Sequence, residues 1–555
     1  LALALYSAPY EIGKNGMEAG PGGPCVGGDL MPMSMDRRHL LAGGMVAAAA
    51  WPFGAMAQVS GPVATTRAGR VRGATVDGIH VFKGVRYGAS TEGRRFMPPR
   101  PPQPWSGVAD ALDYAAQSPQ VSGGDGGGLF RSWANRRPGS EDCLFLNVWT
   151  PALRDGKKRP VMVWFHGGGF SVGSGASHGY DGTRLCRRGD VVVVTVNHRL
   201  NAFGYGYLAE LGGPEMADSG NAGDLDMVLS LRWVRDNIAE FGGDPGNVMI
   251  FGESGGGGKV STLMAMPSAA GLFHRAAVQS GSSLTVLEKD QATENMRKLM
   301  AACGVGQAAE MRALPMDRIV EGMRKAQVDF RPVVDGRALP RHPFHPDAPA
   351  VSRNVPMLIG TTKDEMTLLI GARDPSVFDL TWDDLPKRAA PYLSGLDAEK
   401  ALADLRRLYP QARPSDIFFT LATVRATRKA AITQAERKAA QGGAPAYMYL
   451  LNWETPVDGG KWKSPHALDI ALMFDNVARS ESMSGTSPEA QKVADAMSEA
   501  WIRFARTGEP GWAPYRPDTR ATMVFDVESK VVYDPNREER LMFADAPLVR
   551  AGSSR

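Results

Sequence analysis

Five short apolar runs, each bounded by turn residues, constrain this chain more than any other feature: PVMVWF (160–165), VVVVTV (191–196), NVMIF (247–251), PMLI (356–359) and AYMYLL (446–451). A strand with one wet face alternates apolar and polar residues. Runs without alternation need cover on both faces, which parallel strands receive from crossover helices. Between the runs lie helical patterns. LDMVLSLRWVRDNIAEF (225–241) sets Leu, Val, Trp and Ile at helical spacing and stops at Gly242-Gly243. This alternation predicts an α/β fold with a central, mostly parallel sheet flanked by helices. The stretches 290–330 and 380–440 read as helical insertions packed over the sheet, and SGGDGGG (122–128) reads as a surface loop.

The run NVMIF leads into GESGGGGKVS (252–261), a glycine-rich turn suited either to phosphate or to a nucleophile. A Walker loop has glycine six positions before its lysine and Ser or Thr directly after it. Lys259 has Glu253 and Val260 in those places, and a carboxylate there repels phosphate. The pattern G-x-S-x-G fits Gly252, Ser254 and Gly256, but it also fits GFSVG (169–173) around Ser171. A nucleophile elbow joins a strand to a helix. Ser254 lies between NVMIF and KVSTLMAM, whereas Ser171 is followed by SVGSGASHGYDG-type loop composition. Ser254 therefore reads as the nucleophile and Ser171 as a loop residue.

A serine hydroxyl needs a histidine to take its proton and a carboxylate to orient that histidine, in the chain order Ser, Asp or Glu, His for this fold class. Of nine histidines, His274, His342, His345 and His466 follow Ser254. His274 in GLFHRA reads as a helix packing residue, and His342 and His345 sit in the proline-rich loop PRHPFHPDAP. His466, in a loop after AYMYLL, is the best base. Asp364 and Glu365 follow the strand-like PMLI, and the residues alone do not choose between them. HGGGF (166–170), directly after PVMVWF, offers backbone N–H groups free of side chains for a developing oxyanion.

The chain has 555 residues and a net charge of +4, without a basic run interleaved with aromatics, so nucleic acid is not an expected partner. Residues 31–57 combine the pair Arg37-Arg38, an apolar stretch from Leu40 to Phe53, and Ala55-Met56-Ala57. That layout resembles a bacterial twin-arginine export signal and predicts a periplasmic or secreted protein. The apolar stretch is short for a span, so no stable membrane anchor is expected. Residues 1–30 read as a non-native or disordered leader, leaving 58–555 as one catalytic domain. The four cysteines (Cys25, Cys143, Cys186, Cys303) form no C-x-x-C pair. With no H-E-x-x-H either, neither metal nor cofactor is expected.

Taken together, FKGVRYG, RFMPPRPPQPW, SEDCLFLNVWTP, VMVWFHGGGFSVGSG, VNHRLNAFGY, FGGDPGNVMIFGESGGG, GLFHRAAVQSGS, LIGTTKDE and PHALDIALMF resemble the type B carboxylesterase/lipase family, which includes cholinesterases and bacterial para-nitrobenzyl esterases. The resemblance runs from about Gly61 to near the C-terminus. It implies an α/β-hydrolase fold with insertions over an active-site gorge, Ser254 as nucleophile, Glu365 rather than Asp364 as acid, and His466 as base. The N–H groups of Gly168, Gly169 and Gly255 would form the oxyanion hole, and Glu253 and Ser280 would support the histidine. Where the family pairs the cysteine of EDCL with an upstream cysteine, this chain has Ser118, so Cys143 is expected to be free. Gly255 replaces a frequent alanine while keeping the N–H. The implied activity is hydrolysis of a small-molecule carboxylic ester through an acyl-enzyme. An amidase, carbamate hydrolase or acyltransferase would use the same groups, and a non-catalytic binding module would lack a filled triad. Phe170 and DFRPVVDG (329–336) are candidate pocket walls.

Overall fold

The computed structural model describes residues 61–121 and 128–549. The readings of 1–30, of 31–57 and of most of the glycine run (122–127) fall outside the described residues. Strands occur at β1 (Val63–Thr65), β2 (Arg70–Arg72), β3 (Ala74–Val76), β4 (Ile79–Arg86), β5 (Val108–Asp110), β6 (Phe145–Thr150), β7 (Arg159–Phe165), β8 (Val192–Val196), β9 (Gly243–Glu253), β10 (Arg275–Gln279), β11 (Met357–Thr362), β12 (Ala446–Leu451), β13 (Ala521–Phe525) and β14 (Lys530–Tyr533). Strands β1, β2 and β5 form a small sheet. The other eleven form one sheet in the order β3-β4-β6-β8-β7-β9-β10-β11-β12-β13-β14. Every pairing from β8 across to β13 is parallel, and the outer pairings are antiparallel.

The five apolar runs become β7, β8, β9, β11 and β12, and the reason they do not alternate is visible in the packing. Val161, Val163 and Phe165 of β7 pack in one core with Met227 and Leu231 of the helix Ala222–Asn237 and with Val260 and Leu263 of Gly255–Leu263. Met162 and Trp164 of the same strand enter a second core on the opposite face, with Val493, Met497 and Trp501 of the helix Pro488–Thr507. Successive side chains point to opposite faces, and both faces are apolar.

The helix expected over 225–241 begins earlier, at Ala222, and tightens to a 3-10 turn at Ile238–Phe241 before Gly242 at φ 73° ends it. The two stretches expected to be helical are so, as Lys289–Cys303, Ala308–Ala313 and Met316–Ala326, and as Leu385–Ala389, Ala398–Leu408, Pro414–Thr423 and Lys429–Ala440. Each has a satellite core of its own, the first around Met296, Leu299 and Ile319, the second around Leu405, Ile417 and Phe418.

One expectation is corrected. His274 is not on a helix: it immediately precedes β10, where its N–H donates to the Val248 carbonyl (2.7 Å) and its Nδ1 accepts the Val248 N–H (3.1 Å). The strand RAAVQ that follows it has two alanines and polar ends, a pattern too weak to separate strand from helix.

Because β7, β9, β11 and β12 are parallel, their carboxyl ends share one edge of the sheet. The HGGG run leaves β7 there, Ser254 leaves β9, Glu365 follows β11, and His466 lies in the loop beyond β12. Sequence-distant groups meet at that edge, the usual place for a ligand in such sheets.

Candidate active site

Ser254 is the single residue between β9 and the helix Gly255–Leu263, with φ 56° and ψ −122°. A residue with a Cβ adopts such angles at a cost of roughly 1–3 kcal/mol, so its surroundings must hold it there. They do so from both sides. Its N–H donates to the Gln279 carbonyl on β10 (2.8 Å), and its carbonyl accepts the Gly258 N–H (3.0 Å) that opens the helix. Gly256 is required because a Cβ there would lie 2.0 Å from the Phe165 carbonyl oxygen of β7. Ser171 lies instead in a turn within the loop after β7, buried, and its carbonyl accepts the Asn201 side-chain amide (3.1 Å).

The two neighbouring acids separate cleanly. Glu365 opens the short helix Glu365–Leu369, is fully buried, accepts the Thr362 N–H on Oε1 (2.9 Å) and accepts His466 Nδ1 on Oε2. Asp364 turns the other way, where Oδ2 accepts the Ser464 N–H (3.3 Å) and fixes the loop that carries the histidine. With Nδ1–H donated to Glu365, the proton is held on that nitrogen and the Nε2 lone pair is left to accept another. His466 Nε2 makes no hydrogen bond and lies 3.1 Å from Glu253 Oε1, at the residue before Ser254.

Three carboxylates set the charge of this imidazole. Burial lowers the His466 value, but Glu253, Glu365 and Asp469 outweigh it and raise it to about 9. Glu253 is itself raised to about 8, chiefly by burial, while His466 and the Ala467 N–H oppose that rise. Asp469 is raised to about 6, again chiefly by burial. Its Oδ2 accepts Tyr449 Oη–H (2.7 Å) and Gln279 Nε2–H (3.1 Å). Asp469 and the hydroxyl of Tyr449 were not apparent from sequence. The one available signal is that Asp469 follows His466 by three residues in PHALD.

The loop after β7 abuts this elbow. A Cβ on Gly167 would stand 3.5 Å from Ser254 Cβ. Gly168 and Gly169 have φ 86° and 61°. A Cβ on Gly255 would lie 2.1 Å from the Gly169 carbonyl oxygen, so glycine at 255 is what allows the loop to lie this close to the helix start. Gly255→Ala must push the loop away; on the expectation that this loop and Gly255 donate to the oxyanion, kcat should fall about tenfold or more, since such donors depend on distance. Steady-state kinetics on a short-chain ester checks this, and an unchanged kcat would show that the loop yields without penalty.

Ser280 does not join the histidine by a hydrogen bond: its hydroxyl is buried without a partner and its N–H donates to the Gly360 carbonyl (2.8 Å). Ser118 stays buried, with its Oγ accepting the Leu200 N–H (3.1 Å). Cys143 is free, and burial pushes its thiol well up, out of the reactive range. Phe170 stacks edge-on against Tyr205 at 5.2 Å and packs with Phe330 in the satellite core of the first insertion.

A serine strained at a strand-to-helix turn, a histidine fixed by a buried glutamate and a glycine loop against the serine form an arrangement for acyl transfer. The family model described as the carboxylesterase family matches residues 60–544. This chain belongs to the carboxylesterase family. It is a carboxylic-ester hydrolase. Among its relatives, the para-nitrobenzyl esterase of Bacillus subtilis (strain 168) is 35% identical over 497 residues, covering 86% of this chain and 97% of that protein. Phenmedipham hydrolase of Pseudarthrobacter oxydans is 31% identical over 506 residues, covering 85% and 97%. The crystal structure of a Geobacillus stearothermophilus carboxylesterase at pH 6.2 superposes with a TM-score of 0.76 at 37% identity, covering 86% of this chain and 99% of that one. These matches place this carboxylesterase in the α/β-hydrolase fold, with small-molecule esters as its substrate class.

Proposed function

We propose that this carboxylesterase works through Ser254 as nucleophile, His466 as general base and acid, and Glu365 as the carboxylate that orients the histidine. Gly168, Gly169 and Gly255 supply N–H donors to the oxyanion. The observation that carries this reading is the buried Glu365–His466 hydrogen bond, which leaves Nε2 without a hydrogen bond beside the Glu253–Ser254 turn. In this reading Ser254 Oγ attacks the ester carbonyl as its proton passes to Nε2, and the imidazolium formed is stabilised by Glu365. The alcohol leaves with that proton, and water repeats the sequence to release the acid. Once ionised, Glu253 adds negative charge beside the imidazolium. The reading treats 58–555 as one catalytic domain, supported by a family match that starts at residue 60.

A pH profile tests the base. His466 must be neutral to accept the proton, so kcat/KM is expected to rise with pH through a midpoint near 9 and to level off only above it, following its raised value of about 9. Glu253→Gln removes a carboxylate that raises that value and is expected to move the rising limb to lower pH. A limb unmoved by Glu253→Gln would contradict the arrangement.

We also propose that residues 31–57 direct export by a twin-arginine route, on the strength of Arg37-Arg38 and the short apolar stretch after them. Cell fractionation of an Arg37→Lys, Arg38→Lys variant is expected to show the enzyme retained in the cytoplasm. Equal export of both forms would refute the proposal.

A further inference from the structure

We propose that Lys259 is a positioning residue for the oxyanion loop, clamping the His166 peptide to the same helix that carries Ser254 and Gly255. The proposal rests on the reading of Gly168, Gly169 and Gly255 as oxyanion donors. Lys259 lies one helical turn beyond Gly255 in Gly255–Leu263 and is fully buried. Its Nζ donates to the His166 carbonyl at 2.8 Å. His166 is the residue before Gly167–Gly169, so this bond anchors the glycine run at its start. At the far end of the run, Lys259 Nζ lies 5.7 Å from the centre of the Phe170 ring, and the Phe170 carbonyl accepts the Asn201 N–H at 2.6 Å. One side chain thus bonds one end of the segment that carries Gly168 and Gly169 and faces the aromatic ring at its other end, and it projects from the helix that carries the third donor.

The chemistry of the position supports a bonding role over a filling one. An ammonium group is expensive to bury, and a methionine of similar length would fill the space without that cost. Polar groups stand near Lys259, beside the Phe170 ring. Asp224 is fully buried with Oδ2 unpartnered, and the His166 and His198 rings stack at 5.0 Å, both with Nε2 unpartnered. Burial lowers Lys259 to about 7, opposed by Asp224, and the Lys259 charge helps to hold both histidines low after burial itself. A lysine amine keeps N–H donors whether charged or neutral, so the clamp on His166 holds on either side of neutrality. The lysine whose neighbours fail the Walker pattern receives a different use here.

The test is made on the full chain with a short-chain p-nitrophenyl ester and a trifluoromethyl ketone, which forms a tetrahedral oxyanion adduct with an active serine. With kcat normalised to burst amplitude, Lys259→Met is expected to lose about tenfold or more in kcat and a similar factor in ketone affinity, because loop donors act on the oxyanion. KM should stay within about twofold, since ground-state binding does not use those donors. Lys259→Arg, which keeps a donor, should recover part of both losses. Wild-type kcat and ketone affinity in Lys259→Met would overturn the proposal, as would losses confined to KM. If Lys259→Met does not fold, Lys259→Gln decides on the same criteria, because its shorter amide falls short of the His166 carbonyl. Failure of the wild-type enzyme to form the ketone adduct would instead count against the Ser254 reading itself.

Discussion

Ser254→Ala is expected to lower kcat on a p-nitrophenyl ester by about 10⁴- to 10⁶-fold, while Ser171→Ala leaves it within about twofold. The large effect follows from the placement of the elbow. The Ser254 backbone is held at φ 56° by bonds to Gln279 and Gly258, and the loop that carries Gly168 and Gly169 lies directly against it. Alanine keeps that backbone and removes only the attacking oxygen. The fold should therefore survive, with an unchanged thermal midpoint, while the acyl-enzyme route disappears. Ser171 shares the G-x-S-x-G pattern but is buried in a turn within the loop after β7, not at a strand-to-helix junction, so it lacks the placement of an elbow nucleophile. Equal losses in the two variants would overturn the assignment.

The second large effect is expected at the acid. Glu365→Gln should lower kcat by about 10⁴-fold, because an amide cannot hold the Nδ1 proton and stabilise the imidazolium as a carboxylate does. Its neighbour provides the control. Asp364→Asn keeps a group able to accept the Ser464 N–H, so kcat should stay within about tenfold of wild type, reflecting only a looser His466 loop. The pair of variants, measured at one pH and with folded protein confirmed by circular dichroism, separates orientation of the base from support of its loop. A greater loss in Asp364→Asn than in Glu365→Gln would reverse the two roles.

Much of this was legible in the sequence because the central strands are covered on both sides. Val161 to Phe165 and Val192 to Val196 are buried without interruption, so their apolar runs stand out from any loop or surface helix. β10 was missed because RAAVQ owes its burial to β9 and β11 on either side, not to a long apolar stretch of its own. β14 was missed for the opposite reason: an edge strand paired only to β13 carries exposed Lys530 and Tyr533. At the site, the types of segment around them single out Ser254 and His466 as the nucleophile and base proposed here. Asp364 and Glu365 share their segment, so the residues alone do not choose between them; the family resemblance points to Glu365, and in the structure the two side chains turn opposite ways. Asp469 and Lys259 were out of reach because what they do depends on Tyr449, Gln279 and His166, residues brought in from β12, β10 and the loop after β7. Local sequence carries no record of those partners.

The central claim is that hydrolysis passes through an acyl group on Ser254. The most direct measurement is rapid mixing of the enzyme with a short-chain p-nitrophenyl ester, followed by acid quench and mass spectrometry of the resulting peptides. The expected result is a burst of p-nitrophenol close to one equivalent per enzyme, with the acyl mass on the peptide that contains Ser254. A burst whose acyl group sits on the Ser171 peptide, or steady turnover with no acylated peptide under conditions where deacylation is slow, would contradict it.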